Sequence, residues 1–352
     1  MIVSAKKRII EIPTRSCHAG TVARLNGKSF MAWFGGTRES ADDVDIYYTH
    51  TTDEGLAEIK RVTANENIAH WNPVLLPREN GLDLFFKMGE TIPDWQTMRA
   101  RLDAEGNCIA DPVELVPGDF GGRGPVKNKC LKLKSGRILA PASLETKDPD
   151  RWDAYIDISD DGGETFTEFV PIPLYRKGTT AWTGKRWKMA RPLPRYSGEE
   201  NEPDRPWCRA ENAGIIQPTL WQTADGAVHA LLRSSEGYIL RSNSYDEGMT
   251  WCPAYNTGMP NNNSGIDLTR LHDGRIFLCA NPVGDNWGAR SPLTLFVSQD
   301  DGETFTELMK LEMLPGEYSY PGIVAEGDKL YIIYTWNRRK MAYWEIELEE
   351  RR

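Results

Sequence analysis

One short pattern occurs three times along this chain, and a repeated pattern limits the possible folds more than any single motif does. The copies read Ser159-Asp160-Asp161-Gly162-Gly163-Glu164-Thr165-Phe166, Ser244-Tyr245-Asp246-Glu247-Gly248-Met249-Thr250-Trp251 and Ser298-Gln299-Asp300-Asp301-Gly302-Glu303-Thr304-Phe305. Strand-like residues precede them, as in Tyr155-Ile156-Asp157-Ile158 and Leu293-Thr294-Leu295-Phe296-Val297. The chemistry is that of a tight turn between strands. Ser and Asp side chains bond nearby backbone groups, Gly accepts positive φ, and the aromatic packs beneath.

Two degenerate copies lie upstream, Thr51-Thr52-Asp53-Glu54-Gly55 and Leu102-Asp103-Ala104-Glu105-Gly106. The five turns are then about 50, 58, 85 and 54 residues apart, and most of these steps hold four strands each. The long step contains a Pro-, Arg-, Lys- and Trp-rich stretch, so an inserted loop is expected over 173–210, with Trp182 and Trp187 beside Arg186 and Lys188 as candidate sugar-stacking residues. Residues 319–348 supply further strands without a box. Lys7-Arg8-Ile9-Ile10-Glu11-Ile12 is a strand able to pair the two chain ends and remove a sheet edge. The expected fold is all-β: one domain over 1–352, a six-bladed β-propeller of four-stranded antiparallel blades. A seventh blade within 173–210 is the alternative.

The chain has 352 residues and a net charge of −9, without a basic tail or run. Nucleic acid and anionic membrane are therefore not expected partners. No stretch is long and apolar enough to span a bilayer, and the first residues lack the apolar segment of a signal peptide, which predicts a cytoplasmic location; a processed secreted or periplasmic form is the alternative. Six scattered cysteines show no metal spacing and read as free thiols. No metal and no cofactor is expected.

In a propeller the innermost strands begin around a common axis. Six segments share polar residues followed by an apolar strand: 17–22, 70–75, 123–129, 211–216, 262–266 and 318–323. Stacked around the axis they are expected to bring His18, His70, Asn72, Arg123, Lys127, Asn128, Glu211, Asn263 and Tyr318 toward one cavity. Many convergent polar groups in one cavity suit a sugar or an acid. The box carboxylates Asp161, Asp246 and Asp300 lie on outer turns and are expected to be structural.

The boxes are Asp boxes, and the chain resembles the sialidase-type β-propellers over most of its length. Ala32-Trp33-Phe34-Gly35-Gly36-Thr37-Arg38-Glu39 followed by Asp42-Asp43 resembles the family's first-blade segment, whose aspartate is acid/base. Strand alternation turns only one of the pair inward, and Asp43 is preferred over Asp42. Glu211 with Gln217-Pro218-Thr219-Leu220 resembles the segment carrying the glutamate that supports the nucleophile. Arg233 and Arg290 resemble two of the three arginines that hold a substrate carboxylate, and Tyr318-Ser319 stands where the nucleophilic tyrosine is expected.

The pattern departs from the family at its opening Arg-Ile-Pro segment, here His18-Ala19-Gly20, which leaves the arginine triad short. The resemblance implies an exo-acting glycoside hydrolase that removes a terminal acidic sugar, sialic-acid-like or uronic acid, from an acidic oligosaccharide or glycan. Tyr318 would attack, Glu211 activate it and Asp43 serve as acid/base. Arg233 and Arg290 would hold the carboxylate, with Arg38, Asp42, His70, Asn72, Arg123, Lys127, Asn128 and Asn263 lining the pocket. The alternatives are a uronate-directed lyase or hydrolase using His18 or His70, and a non-catalytic glycan-binding propeller.

Overall fold

The box turns all fall at one place in the architecture, between the third and fourth strands of successive sheets. A computed structural model describes residues 1–62, 67–120, 122–177 and 208–350. Among them, six sheets follow one another along the chain. Blade 1 comprises Ser16–Leu25, Lys28–Gly36 and Asp45–Thr52, with the short outer pieces Gly55–Leu56 and Lys60–Arg61. Blade 2 is His70–Arg78, Gly81–Met88, Gln96–Asp103 and Cys108–Glu114, and blade 3 is Leu131–Lys132, Ile138–Lys147, Asp150–Ser159 and Glu168–Pro171. Blade 4 is Ile215–Gln222, Val228–Ser234, Tyr238–Ser244 and Tyr255–Pro260; blade 5 is Asp267–Arg270, Ile276–Ala280, Leu293–Ser298 and Thr306–Glu312. Blade 6 takes three strands from the C-terminal end, Tyr318–Glu326, Lys329–Trp336 and Lys340–Leu348, and its outermost strand, Ile2–Glu11, from the N-terminal end.

The expected six-bladed propeller is therefore the observed fold. The insertion expected at 173–210 has a short parallel pair at its two ends, Tyr175–Arg176 against Arg209–Ala210, while Trp182, Arg186, Trp187 and Lys188 lie outside the described residues. No helix among the described residues is long and apolar enough to cross a membrane.

The boxes work as their composition suggests. Ser159 Oγ donates to Asp161 Oδ1 (2.8 Å) and accepts from Gly163 N (2.8 Å), while Thr165 N donates to the same carboxylate oxygen (2.9 Å). The turns at 244–250 and 298–304 repeat this network. Hydrogen bonds from Thr165 pull the Asp161 carboxyl down to about 2. Phe166 and Trp251 are buried beneath their turns. With inner strands running from the channel mouth toward the far end, the turns between third and fourth strands fall opposite the mouth. The boxes hold the blades and stand away from any chemistry at the mouth.

Ring closure is both covalent-chain topology and packing. Ile2–Glu11 pairs antiparallel with Lys340–Leu348, Ile10 opposite Met341. Ile10, Val22, Met31, Trp33, Tyr331, Ile333, Met341 and Tyr343 form one apolar cluster between blades 6 and 1. Ile10→Ala removes buried methyl groups at this seam, for which the expected loss is about 2–5 kcal/mol. Urea denaturation of the variant against the parent measures it, and a smaller loss would mean that the terminal strand contributes little to closure.

Candidate functional site

Each blade has a left-handed residue in or just ahead of its inner strand: Ala19 (φ 55°), Asn72 (φ 43°), Gln217 (φ 53°) and Tyr320 (φ 53°) within it, and Lys127 (φ 67°) and Asn263 (φ 57°) four residues before it. In four blades it coincides with a bulge in the pairing, at 18–21, 71–74, 216–219 and 319–322. None of the six is glycine, and non-glycine residues in this region are disfavoured by about 1–3 kcal/mol each. The bulge turns these side chains and the peptide groups beside them toward the axis. Bulges commonly re-aim side chains next to sites.

Below the mouth the axis is closed by charge and amide groups. Lys127 Nζ donates to Asn128 Oδ1 (2.7 Å), to Ile266 O (2.8 Å) and to Pro321 O, so one ammonium joins blades 3, 5 and 6. Asn128 Nδ2 donates to the carbonyls of Gln217 (2.8 Å) and Pro218 (3.1 Å) on blade 4. The Asp267 carboxylate accepts from Lys129 Nζ (2.9 Å), Thr219 Oγ1 (2.7 Å) and Ile323 N (2.9 Å). Lys127 and Asn128, expected from the sequence to line a pocket, are instead fully engaged with protein acceptors. Arg123 likewise forks onto Asp157, with Nε to Oδ2 (2.9 Å) and Nη2 to Oδ1 (3.0 Å), and is a strut of blade 3.

Above this floor the groups converge on Tyr320. Arg233, at the end of the second strand of blade 4, donates from Nη1 to the Tyr320 hydroxyl (2.5 Å) and to Gln217 Oε1 (3.1 Å), and from Nε to Asn263 Oδ1 (2.9 Å). Arg290 lies with its guanidinium 5.5 Å from the Tyr320 ring centre and donates to Glu317 Oε1 (2.7 Å) and Ser319 Oγ (3.2 Å). His18 packs on the other side of the ring, 4.2 Å between centroids. Arg338, on the hairpin between the second and third strands of blade 6, donates to Glu317 Oε1 (2.7 Å) and to Glu39, and its Nη2 is 3.4 Å from His18 Nε2. Trp152 and Trp287 flank Arg233 at 5.3 and 5.9 Å, and Trp287 is 63 % exposed at the mouth.

The site thus holds three arginines. Where the opening arginine was missing from blade 1, Arg338 reaches the same corner from blade 6. Burial, reinforced by Arg338, Arg290, Arg233 and Lys127, holds the His18 imidazole far below its usual range. His18 is therefore neutral near neutral pH and has no proton to give as an imidazolium there.

Several expected residues stand elsewhere. Tyr318 is 3 % exposed and packs in the core of blade 6 against Trp336, whereas Tyr320 enters the channel. Glu211 is an exposed rim residue paired with Lys177 (2.9 Å). The left-handed entry residue of its blade is Gln217. Asp43 is exposed and caps its own loop, accepting from Thr37 N (3.1 and 3.0 Å) and Thr37 Oγ1, which hold its carboxyl low. A carboxyl held ionised is a poor proton donor. Arg38 and Asp42 are exposed on that loop. His70 is buried with Nδ1 3.0 Å from Asp45 Oδ1, and Asn72 is buried beside it in the same strand. Of the expected residues the structure brings together His18, Arg233, Asn263 and Arg290, and adds Tyr320, Gln217, Arg338 and Glu317.

Residues 27–332 match the BNR repeat-like domain. The chain belongs to that family. No curated protein matches it at the level of sequence. Among solved structures it resembles a protein of unknown function from Dyadobacter fermentans, at TM-score 0.70 and 14 % identity, over 99 % of this chain and 100 % of that one. The Trypanosoma rangeli sialidase is similar at TM-score 0.70 and 11 % identity, over 98 % of this chain and 60 % of the sialidase. A mutant of the NanB sialidase from Streptococcus pneumoniae matches at TM-score 0.69 and 11 % identity, over 97 % of this chain and 70 % of that one. This BNR propeller therefore shares the sialidase fold, and at such identities the likeness speaks for the fold alone.

Arg338→Gln removes the nearest cation from His18, so the imidazole pKa should rise. An NMR titration of the ring should show parent His18 titrating below the usual histidine range and the variant at higher pH than the parent; coincident curves would remove Arg338 from the site's electrostatics.

Proposed function

We propose that the protein is an exo-acting glycoside hydrolase that removes a terminal acidic sugar, sialic-acid-like or uronic acid, from a glycan. The observation that carries this reading is the convergence of Arg233 and Arg290 on the Tyr320 ring at the channel mouth, with Arg338 beside the His18 that packs against that ring. Guanidinium groups offer a carboxylate paired, planar N–H donors that lysine cannot match. A charge-assisted hydrogen bond of this kind contributes roughly 1.5–3 kcal/mol. An acidic sugar seated on them presents its anomeric region to Tyr320. The Arg233 N–H already directed at the Tyr320 oxygen stabilises the phenolate that forms as the hydroxyl gives its proton to solvent water at the mouth and attacks. A tyrosine also suits a substrate that carries its own negative charge, which would repel a carboxylate nucleophile.

A second reading is favoured by the state of His18. A neutral imidazole against Tyr320 is equipped to take the proton beside a uronate carboxylate whose charge the arginines neutralise. Elimination would break the bond to the leaving oxygen, which would take its proton from Tyr320.

Mass spectrometry of products from sialyllactose and from glucuronate- and galacturonate-capped oligosaccharides separates these readings. Hydrolysis yields fragments whose masses together gain one water, and the released cap names the sugar. Fragments conserving the starting mass, one an unsaturated uronate, would replace hydrolysis by elimination. Binding without turnover would leave a glycan-binding propeller. Tyr320→Phe should lower hydrolysis by about 10³-fold or more, while Tyr318→Phe leaves it unchanged; the reverse order would return the role to Tyr318.

A further inference from the structure

Hydrolysis at Tyr320 needs a proton for the departing oxygen, and the loop carboxylate expected to supply it, Asp43, caps its own turn. A different carboxyl stands over the arginines. Glu145 is near the end of the second strand of blade 3, two residues beyond Ser143, whose Oγ accepts from the backbone N–H of Gln217 (2.8 Å). Strand alternation puts Glu145 on the same face as Ser143. It is therefore one step closer to the mouth, above the residue whose side-chain oxygen accepts from Arg233. The pairing register agrees: Glu145 is opposite Trp152, and directly paired residues share a face. The Trp152 ring packs 5.3 Å from the Arg233 guanidinium.

The geometry points to Glu145 as the catalytic acid that protonates the leaving-group oxygen. This assignment rests on the hydrolase reading above and names the proton donor of the same site. The half-buried carboxyl faces Arg233 from blade 4, Asp150 from its own hairpin, and Glu39 from the first-blade loop, where Arg338 binds Glu39. Burial pushes Glu145 up to about 7, Asp150 and Glu39 add to the rise, and Arg233 opposes it. A donor at that level holds its proton on the acid side of neutrality and gives it up when an oxygen becomes basic, as a glycosidic acid requires. The step balances. Tyr320 Oη bonds to the anomeric carbon as the glycosidic C–O bond breaks with its electron pair on the leaving oxygen; that oxygen takes the Glu145 proton, and the phenol proton passes to solvent water at the mouth. A second water then gives its hydroxyl to the sugar carbon and a proton to Glu145, while the sugar–Tyr320 bond breaks and the phenolate recovers a proton from solvent, leaving the enzyme unchanged.

The test compares Glu145→Gln with the parent on two kinds of substrate. One is a poor leaving group, in sialyllactose and a glucuronate-capped disaccharide; the other is the activated 4-methylumbelliferyl glycoside of each acid. If Glu145 is the acid, the variant loses about 10²–10⁴-fold on the oligosaccharides and less than about tenfold on the activated glycosides. The parent kcat/KM on the oligosaccharides should also fall above about pH 7, a limb absent from the variant. Equal losses on both substrates, or an alkaline limb retained in the variant, would overturn the assignment while the hydrolase reading stands. A parent that releases sugar from neither substrate would overturn both. Should the variant fail to fold, the parent alone still decides: an oligosaccharide rate flat through pH 7 would overturn the role of Glu145.

Discussion

The channel mouth depends on closing the ring between blades 6 and 1. A sheet built from consecutive hairpins ends in two exposed edges, and the pairing of Ile2–Glu11 with Lys340–Leu348 removes the break in chain order. The seam is reinforced at several levels: the shared apolar cluster around Trp33 and Tyr343, the Arg24 guanidinium 4.0 Å over the Tyr331 ring, and Tyr343 OH donating to Ser29 Oγ (2.7 Å). At the mouth, Cys17 N donates to Arg338 O (2.8 Å) and Ala19 N to Thr335 Oγ1 (3.2 Å). These bonds set His18 from blade 1 against Tyr320 and Arg338 from blade 6. Those residues are some 300 positions apart in the chain and meet only because the ring is closed.

The axis divides the molecule into a structural end and a reactive end. Its floor is a network in which each buried charge has several partners: Lys127 with three oxygens, and Asp267 with donors from blades 3, 4 and 6. Buried charge is tolerated only when so satisfied. The floor spends its donors and acceptors on the protein itself. Above it, Arg233 is buried against neutral partners, Asn263, Gln217 and Tyr320, while the partly exposed Arg290 and Arg338 share Glu317, and Arg338 also binds Glu39. The positive excess beside the Tyr320 ring favours an anion at the mouth.

The difference between Tyr318 and Tyr320 shows how far sequence reasoning reaches. In a regular strand, residues two apart point the same way, so Tyr318-Ser319-Tyr320 offers two equivalent tyrosines. The bulge between Ser319 and Gly322, with Tyr320 left-handed, breaks that equivalence, burying Tyr318 in the blade and turning Tyr320 to the axis. The bulge between Ile216 and Thr219 likewise sets left-handed Gln217 so that its side-chain oxygen accepts from Arg233. A common spacing was legible, since Gln217-Pro218 and Tyr320-Pro321 repeat Asn72-Pro73, and this left-handed-residue-then-proline signature could have set the register. Arg338 and Glu145 carried no such signal. Each lies in an ordinary strand or hairpin, and only the blade opposite makes it part of the site.

The sequence by itself determined the repeat, the strand period and the turn chemistry, because these are local: a box is bonded within eight residues, and five such turns at blade spacing leave little but a propeller. Resemblance to the sialidase-type propellers also singled out Arg233 and Arg290, which the fold sets beside the Tyr320 ring. The tertiary structure decided which tyrosine faces the axis, that a neighbouring blade fills the corner the first strand leaves to His18, and that Asp43 is tied to its own loop. Those outcomes depend on backbone bulges and on contacts across the ring, where energies from distant segments compete. Local pattern carries no information about which distant partner wins.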